Sequence, residues 1–417
     1  MRGDPDDYDG WAARGNDLWS WEHLLPCFRR LEDDLDHGDA PHHGAGGPIP
    51  IVRWRTDELV PVQQAYRAGC AEIGLPWIDD HNAPGSTGVG PLPMNRRDGY
   101  RVSTAMAYLG PVLDRPNLTV DADTTVVRVV VDGGRVVGVD VVGPSGPHHV
   151  AAGAVIVSSG AVGSPSLLMR SGIGPADPLR TLGIDVALDL PGVGANLMDH
   201  PGVFLLVVPA DGVLDLERPQ FQLGARTSTT AGTSPNDLLL GLMNFWDLRQ
   251  SPDFQAMIGA PIVTALTCGL HQPRSRGAVT LTSADPSVAP HIRLGLLDDD
   301  VDVALLAEAL RRCWDLVHTG PMQEVSRSIA LLDEATVTDD VALAGYLRSM
   351  VAPWYHPSGT CAMGPDAGSG AVVDQHLRVH GVDGLHVVDA SVFPQIPKAP
   401  TNLTTIAVAE RAAALLA

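Results

Sequence analysis

The chain has 417 residues, of which 45% are hydrophobic and 18% charged, and its formal net charge is −21. That length predicts a large core and two or three domains. The negative charge argues against nucleic acid or an anionic membrane surface as a partner, because both attract clustered lysine and arginine.

The lengths of the apolar runs and the pattern of cysteines indicate where in the cell the protein would lie. No apolar run approaches the ~20 residues of a membrane span, and the N-terminal MRGDPDDYDGW has no apolar signal-peptide core. The five cysteines are scattered, with neither the spacing of a zinc site nor the even number of a disulfide framework. We therefore expect no metal and no membrane span, and a cytoplasmic location.

The first 150 residues predict a helix, a loop-rich stretch and a hairpin. Apolar residues recur at helical spacing over 17–34, with Pro26 as a kink. Residues 35–98 are rich in Gly, Pro, His and Asp, with one helical piece around 59–73. Two β-branched runs then flank Asp132-Gly133-Gly134, which predicts a β-hairpin.

A strand, a glycine-rich turn and a helix are predicted over 150–173. The apolar run VAAGAVIV leads into the turn, and Ser164-Pro165 is expected to begin the short helix, since proline is favoured in a first turn. Such a junction presents backbone N–H groups to a phosphate or to the edge of a ring.

The remaining chain predicts a second sheet and a return segment. Residues 201–350 alternate strand-like runs with a long helix over 299–318, which indicates an antiparallel sheet covered by helices. A strand over 384–391, a proline-spaced crossing and a last helix over 404–417 follow.

Two residues of the return segment are candidates for chemistry. Most histidines are surface or core residues, but His356 precedes Pro357 and a small-residue turn that would let a ring approach the backbone. An imidazole accepts protons near neutral pH. Asn402 at the helix entry is either an N-cap or an amide positioned to hydrogen-bond a reacting oxygen.

Several stretches together resemble the glucose–methanol–choline (GMC) family of FAD-dependent oxidoreductases. They stand in the family's order and cover nearly the whole chain: GYRVSTAMAYL (99–109), GAVGSPSLLMRSGIG (160–174), LPGVGANLMDHPG (190–202), HPSGTCAMG (356–364), DASVFPQIP (389–397) and TNLTTIAVAE (401–410). The histidine block and the tail look most similar to the GMC dehydrogenases associated with the redox cofactor mycofactocin.

The resemblance implies an α/β (α+β) fold with two functional parts. These are a GMC-type FAD-binding domain that lacks its first βαβ unit, and a substrate domain with an antiparallel sheet covered by helices. The implied boundaries are 1–200 for the FAD-binding domain with its loop-rich insert 35–98, 201–351 for the substrate domain, and 352–417 for a return segment that completes the active site.

The resemblance also implies FAD-dependent oxidation of a small-molecule alcohol to a carbonyl by hydride transfer to flavin N5. His356 would be the general base, and Asn402 would hold the alkoxide oxygen. The implied FAD contacts are Val126, Gly160, Ala161, Asp389, Ala390, Thr401, Asn402, Leu403 and Thr404.

The chain departs from the family at its start. No strand–GxGxxG–helix unit, which would bind the FAD pyrophosphate, occurs in the sequence. Met1 as an internal codon of a longer reading frame is the explanation we favour; a second chain that supplies the unit and a decayed copy are the others. A truncated or non-catalytic homologue is therefore the alternative function.

Two other enzyme classes are disfavoured, and the identity of the substrate stays open. A serine hydrolase is disfavoured because no G-x-S-x-G occurs, and a nicotinamide dehydrogenase because its fingerprint is absent. Phe245, Trp246 and Trp354 are expected as apolar walls of the substrate pocket. The alcohol, the electron acceptor (oxygen or another) and the oligomeric state stay open.

Overall fold

The computed structural model describes residues 1–232 and 234–416. The helices are α1 Pro5–Ala12, α2 Trp21–Leu31, α3 Pro61–Glu72, α4 Gly160–Arg170, α5 Ala176–Thr181, α6 Pro252–Ile258, α7 Asp300–Val317, α8 Gly320–Val325, α9 Glu334–Thr338, α10 Asp340–Met350 and α11 Thr401–Leu416. The strands are β1 Glu32–Asp34, β2 Ile49–Ile51, β3 Gly88–Pro91, β4 Arg96–Arg97, β5 Tyr100–Arg101, β6 Thr125–Asp132, β7 Arg135–Gly143, β8 Gly146–Ala151, β9 Val155–Val157, β10 Ile173–Gly174, β11 Leu188–Asp189, β12 Pro201–Pro209, β13 Leu223–Thr227, β14 Leu238–Asp247, β15 Ile262–Leu270, β16 Ala278–Thr280, β17 His291–Arg293, β18 Ser326–Ala330, β19 Ala352–Pro353 and β20 Leu385–Val387.

A seven-stranded antiparallel sheet confirms the predicted substrate-domain architecture. Its strand order is β18-β12-β15-β14-β13-β3, with β19 pairing to β12. Successive side chains of a strand point to opposite faces. On β14, Leu240 and Leu242 pack into the core beneath α3 and α7, whereas Gly241 and Met243 line a cavity on the other face.

The segment 35–98 contributes to this sheet. β3 pairs with β13 at the sheet edge, and Tyr66 and Cys70 of α3 are fully buried in the same core as Leu240. The predicted loop-rich insert therefore contains a helix and a strand that pack with the sheet. The domain boundaries themselves stay a prediction.

A separate core gathers α1, α2, α4 and α11 around a short parallel strand pair. β9 and β20 are paired, with Val155 opposite Leu385 and Val157 opposite Val387. Their carboxyl ends lead directly to Gly160 and to Asp389, two of the residues implied to contact FAD. Ligands of α/β folds bind at this end of parallel strands.

The predicted hairpin forms as expected. β6 and β7 are joined at Gly133 and Gly134, whose φ values of +57° and +81° suit the left-handed two-residue turns that glycine accepts readily. The long helix also agrees with prediction, and the Asp299 side chain caps it by accepting the Val301 N–H at 2.8 Å.

Two helix starts differ from prediction. α4 begins at Gly160, so Pro165 lies inside the helix and removes the N–H that would otherwise bond the Ala161 carbonyl. The Thr360 hydroxyl donates to that carbonyl instead, at 2.6 Å. α11 begins at Thr401, three residues earlier than predicted, so Asn402 lies within its first turn and is not the N-cap.

A buried charged cluster lies between the N-terminus and β1. Two groups of its side chains approach closely enough to hold a cation, but Arg2 and Arg53 already bind the carboxylates of Glu32 and Asp34, at 2.6 and 2.8 Å. Burial opposes protonation of His43, yet hydrogen bonds to its carboxylate neighbours raise its pKa to about 10. The protein's own cations thus balance this cluster, whose carboxylates are Glu32, Asp34 and Asp80.

Two further findings concern the predictions about membrane spans and cysteines. None of the helices that the structure describes is long and apolar enough to cross a bilayer. The cysteines are buried and unpaired: Cys27, Cys70, Cys268, Cys313 and Cys361.

Candidate active site

Two antiparallel segments place His200 beside His356. Gly202 pairs with Ala352 and Met198 pairs with Ser358, so residues 198–202 and 352–358 run alongside each other. The imidazole rings of the two histidines consequently meet edge to face, with centroids 5.0 Å apart.

The Asp199 carboxylate fixes the backbone of both histidines. One of its oxygens accepts the N–H of His200 at 2.7 Å and the N–H of His356 at 3.0 Å. Burial raises the pKa of Asp199 to about 6, against the lowering effect of these bonds. Tyr355 adopts φ +60°, a left-handed conformation that is uncommon for a bulky residue and brings His356 back toward the sheet.

The hydrogen bonds of His200 assign the proton positions on both rings. Nε2 of His200 lies 3.0 Å from the Pro397 carbonyl oxygen, which can only accept, so Nε2 carries the proton. Nδ1 of His200 is then an acceptor, and Nδ1 of His356 donates to it at 2.9 Å. Neutral His356 therefore keeps its lone pair on Nε2.

The surroundings hold both imidazoles neutral. Burial lowers the pKa of His356 to about 4. Burial and the two neighbouring histidines lower the pKa of His200 well below its usual value. An uncharged His356 with a free Nε2 can act as a proton acceptor at pH 7.

His356 lines an apolar cavity of about 360 Å³ above the sheet. Its walls include Phe204, Phe221 and Met243 from the sheet domain, and Trp354 from the return segment. Trp354 is thus placed as predicted, whereas Phe245 and Trp246 are not among the wall residues. Trp246 instead packs against Phe204 and Phe254 in a smaller core.

Asn402 lines an adjoining cavity of about 350 Å³. The two cavities share Leu92, Leu239 and Pro400 as lining residues, so His356 and Asn402 flank neighbouring spaces. The Asn402 side chain is exposed and makes no hydrogen bond to the residues that the structure describes. Its action together with His356 on one reacting group stays a prediction.

Four of the residues implied to contact FAD lie together at the ends of β9 and β20. The Asp389 carboxylate accepts the N–H of Gly160 at 2.9 Å and the hydroxyl of Ser164 at 2.5 Å, which ties the two strand ends together. Ala161 and Ala390 are the next residues of these two turns. Because the Asp389 side chain is buried and turned inward, its backbone is the part that remains for a ligand.

The other residues implied to contact FAD differ in how far their side chains are buried. Thr401, Leu403 and Thr404 are buried, and the Thr404 hydroxyl is bonded to Tyr8 at 2.8 Å, so Asn402 is the exposed side chain of this turn. Val126 lies on β6, which packs against α4. The contact roles of all these residues stay predictions.

Three residues with close contacts in the site were not among the predicted ones: His200, Asp199 and Thr360. All three lie inside stretches that carried the family resemblance, 190–202 and 356–364. Their importance rests on contacts across more than 150 residues of chain, which no local pattern reveals.

Comparison with known proteins identifies the family. The N-terminal model of the family described as GMC oxidoreductase matches residues 1–202, and its C-terminal model matches residues 273–409. The chain belongs to the GMC oxidoreductase family. It is accordingly an FAD-dependent alcohol oxidoreductase, as the sequence predicted.

Relatives of this GMC oxidoreductase match along its whole length. It is 35% identical to a GMC-type oxidoreductase of Rhodococcus erythropolis, across 100% of this chain and 79% of the relative. It is 36% identical to the 5-(hydroxymethyl)furfural oxidase of Methylovorus sp., across 99% and 78%. The crystal structure of pyridoxine 4-oxidase from Mesorbium loti superposes with a TM-score of 0.90 at 32% identity, covering 99% of this chain and 81% of the other.

The backbone at the strand ends fits an FAD molecule. Gly160 has φ +77°, and a side chain built on it would meet no atom within 4 Å, so the first turn of α4 is open to a ligand. Asn402, with its exposed amide, is the corresponding open position on α11. Both positions lie in the first turn of a helix, where backbone N–H groups are free to bind a phosphate, and their contacts with FAD stay predictions.

Proposed function

We propose that this enzyme oxidises an alcohol to a carbonyl with His356 as the general base. The observation that carries the proposal is the hydrogen bond from His356 Nδ1 to His200 Nδ1, which leaves a neutral Nε2 lone pair beside the apolar cavity. A histidine that acts as a general base must be unprotonated and within reach of the proton that it removes.

The reaction divides between the cofactor and the chain. FAD supplies the acceptor for the hydrogen and the electron pair that leave the carbinol carbon. The hydroxyl proton passes to Nε2 of His356, the C–O bond becomes a C=O bond, and Asn402 stabilises the oxygen by donating an amide N–H. His200 stays neutral and accepts the Nδ1–H of His356 throughout.

The relatives support an alcohol as the substrate. Two of them are named as oxidases of 5-(hydroxymethyl)furfural and of pyridoxine, compounds that carry a hydroxymethyl group. The acceptor that reoxidises FAD, the association with mycofactocin and the cytoplasmic location remain predictions from the sequence.

Anaerobic reduction of the bound FAD by an alcohol tests the base. His356→Ala should slow reduction by roughly 10²–10⁴, the usual contribution of general acid–base catalysis. Asn402→Ala should lower the reduction rate at saturating alcohol more than it raises the half-saturating concentration, because its bond forms with the reacting oxygen.

His318→Ala is the matched control, since His318 is exposed at the end of α7 and should leave the rate unchanged. A His356→Ala protein that reduces FAD at the wild-type rate would remove the proposed base. A wild-type protein that binds FAD but is not reduced by any alcohol would favour the non-catalytic alternative.

A further inference from the structure

The segment that carries His356 is longer than the segment opposite it. Strand pairing stops at Pro353 and resumes at Ser358, so residues 354–357 lie outside the ladder, whereas the opposing segment has only residues 199–200 in the same interval. The extra residues form a loop that presents His356 to the cavity. We call residues 354–357 the His356 loop; such irregularities of a strand often re-aim a side chain beside an active site.

The His356 loop is held to the sheet through its backbone. The N–H of Trp354 donates to the His200 carbonyl at 3.1 Å, and the N–H of His356 donates to the Asp199 carboxylate at 3.0 Å. Tyr355, between these two anchors, has φ +60° and a side chain that is 86% exposed, so packing of its ring does not fix the loop. The position of His356 therefore depends on its bond to Asp199.

Asp199 makes this bond without a counter-ion. Its side chain is 4% exposed, and among the described residues only burial and backbone N–H groups shift its pKa. One carboxylate oxygen accepts the N–H groups of both His200 and His356. Hydrogen bonds to an ionised acceptor are stronger than those to a neutral one, so a proton on Asp199 would weaken both bonds at once.

The ionisable groups that face Asp199 are neutral histidines. His200 follows it in sequence, His356 lies across from it, and the His271 ring packs against His200 with centroids 5.1 Å apart. Burial lowers the pKa of all three, to about 4 for His356 and about 3 for His271. Burial raises the pKa of Asp199 to about 6, so Asp199 changes charge first as the pH falls from 8.

From this geometry we infer that Asp199 is a positioning residue, whose negative charge keeps the His356 loop in place for catalysis. Protonation of Asp199, rather than of His356, then slows the reaction on the acid side. A base that is displaced by a fraction of an ångström loses much of its effect, because proton transfer needs close alignment. The inference rests on the proposed function, since it takes His356 as the base.

The pH dependence of anaerobic FAD reduction at saturating alcohol tests the role. Between about pH 8 and pH 4, the wild-type rate should fall with a midpoint near pH 6, the pKa of Asp199. The fall should be about tenfold, because two bonds to a charged acceptor become bonds to a neutral one. The half-saturating alcohol concentration should change little. A midpoint near pH 4, where His356 itself takes up a proton, would overturn the inference.

Asp199→Asn imitates the protonated carboxyl, because its amide oxygen accepts the same N–H groups without a charge. Its reduction rate at pH 8 should be about tenfold below wild type and should stay level down to about pH 5. Asp177→Asn, on α5 with a side chain that is 94% exposed, is the matched control and should keep the wild-type rate and midpoint. A folded, FAD-containing Asp199→Asn enzyme that still loses activity near pH 6 would overturn the inference.

The backbone N–H signals of His200 and His356 report the same event without any reaction. In FAD-loaded protein labelled with ¹⁵N-histidine, both signals should shift with one common midpoint near pH 6, and neither should do so in Asp199→Asn. This measurement on the wild-type protein decides the matter even if the variant does not fold.

Two results separate this inference from the proposed function. No common titration of the two N–H signals in the wild-type protein would overturn the inference, whichever group is the base. A common titration in a protein whose His356→Ala variant reduces FAD at the wild-type rate would contradict the proposed function and leave the hold of Asp199 on the His356 loop standing.

Discussion

At the scale of single residues, the central feature is the neutral pair formed by His200 and His356. A carboxylate partner on Nδ1 would stabilise the imidazolium, whereas a neutral histidine acceptor fixes the tautomer without adding charge. This suits a base that lines an apolar cavity, because the partner on Nδ1 adds no further charge that would have to be buried.

The acceptor role of His200 is testable by a pair of substitutions. His200→Leu removes the acceptor, which frees the His356 ring to take either tautomer, and FAD reduction should slow about fivefold or more, the equivalent of a neutral hydrogen bond of about 1 kcal/mol. His200→Asn places an amide oxygen near the position of Nδ1 and should recover most of the rate. Both variants lose the bond to Pro397, so their difference isolates the acceptor.

Stopped-flow reduction at several pH values distinguishes this role from a structural one. The tautomer effect should appear in the rate at saturating alcohol, with little change in the half-saturating concentration. Equal rates in the Leu and Asn variants would show that the acceptor is not what matters.

Among the helices and strands, α4 is held by a hydrogen bond from the segment that carries His356. Its proline at position 165 would leave the Ala161 carbonyl without a helical partner, and the Thr360 hydroxyl of the histidine block supplies the missing bond. The start of α4, where Gly160 is open to a ligand, is therefore tied to the segment that carries His356.

The hydrogen bond from Thr360 to the Ala161 carbonyl should contribute measurably to the free energy of unfolding. Thr360→Val keeps the shape of a fully buried side chain but leaves the Ala161 carbonyl unsatisfied, which should lower the free energy of unfolding by about 1–3 kcal/mol. Chemical denaturation of the FAD-loaded protein measures the change. Thr360→Ser retains the hydroxyl and should be less destabilised than the Val variant; a Val variant as stable as wild type would contradict the account.

Element boundaries also show what local sequence could not predict. The hairpin at Gly133-Gly134 and the helix capped by Asp299 were predictable, because their signals lie within a few residues of chain. The starts of α4 and α11 were misplaced, since a distant threonine accommodates Pro165 and buried side chains extend α11 back to Thr401.

At the scale of the whole molecule, the candidate site is assembled from distant segments. The sheet residues Phe204 and Gly241 form the cavity, and the return segment brings His356 and Trp354 over it. The predictions of the base and of the FAD contacts came from family-like stretches, because each stretch is contiguous in sequence. Trp354 was predicted as a wall residue, but the walls from the sheet were not predictable, since β-strand alternation alone does not tell which face of the sheet meets the return segment.

The most direct test of the account is the protonation of the His356 ring in the FAD-loaded protein. Nitrogen NMR of protein labelled at its histidines, assigned by the signals lost in His356→Asn, should show a proton on Nδ1 and a free lone pair on Nε2 at pH 7. The pattern should persist as pH falls toward about 4, because burial lowers the pKa of this ring. A ring protonated on both nitrogens at pH 7, or on Nε2 alone, would contradict the account.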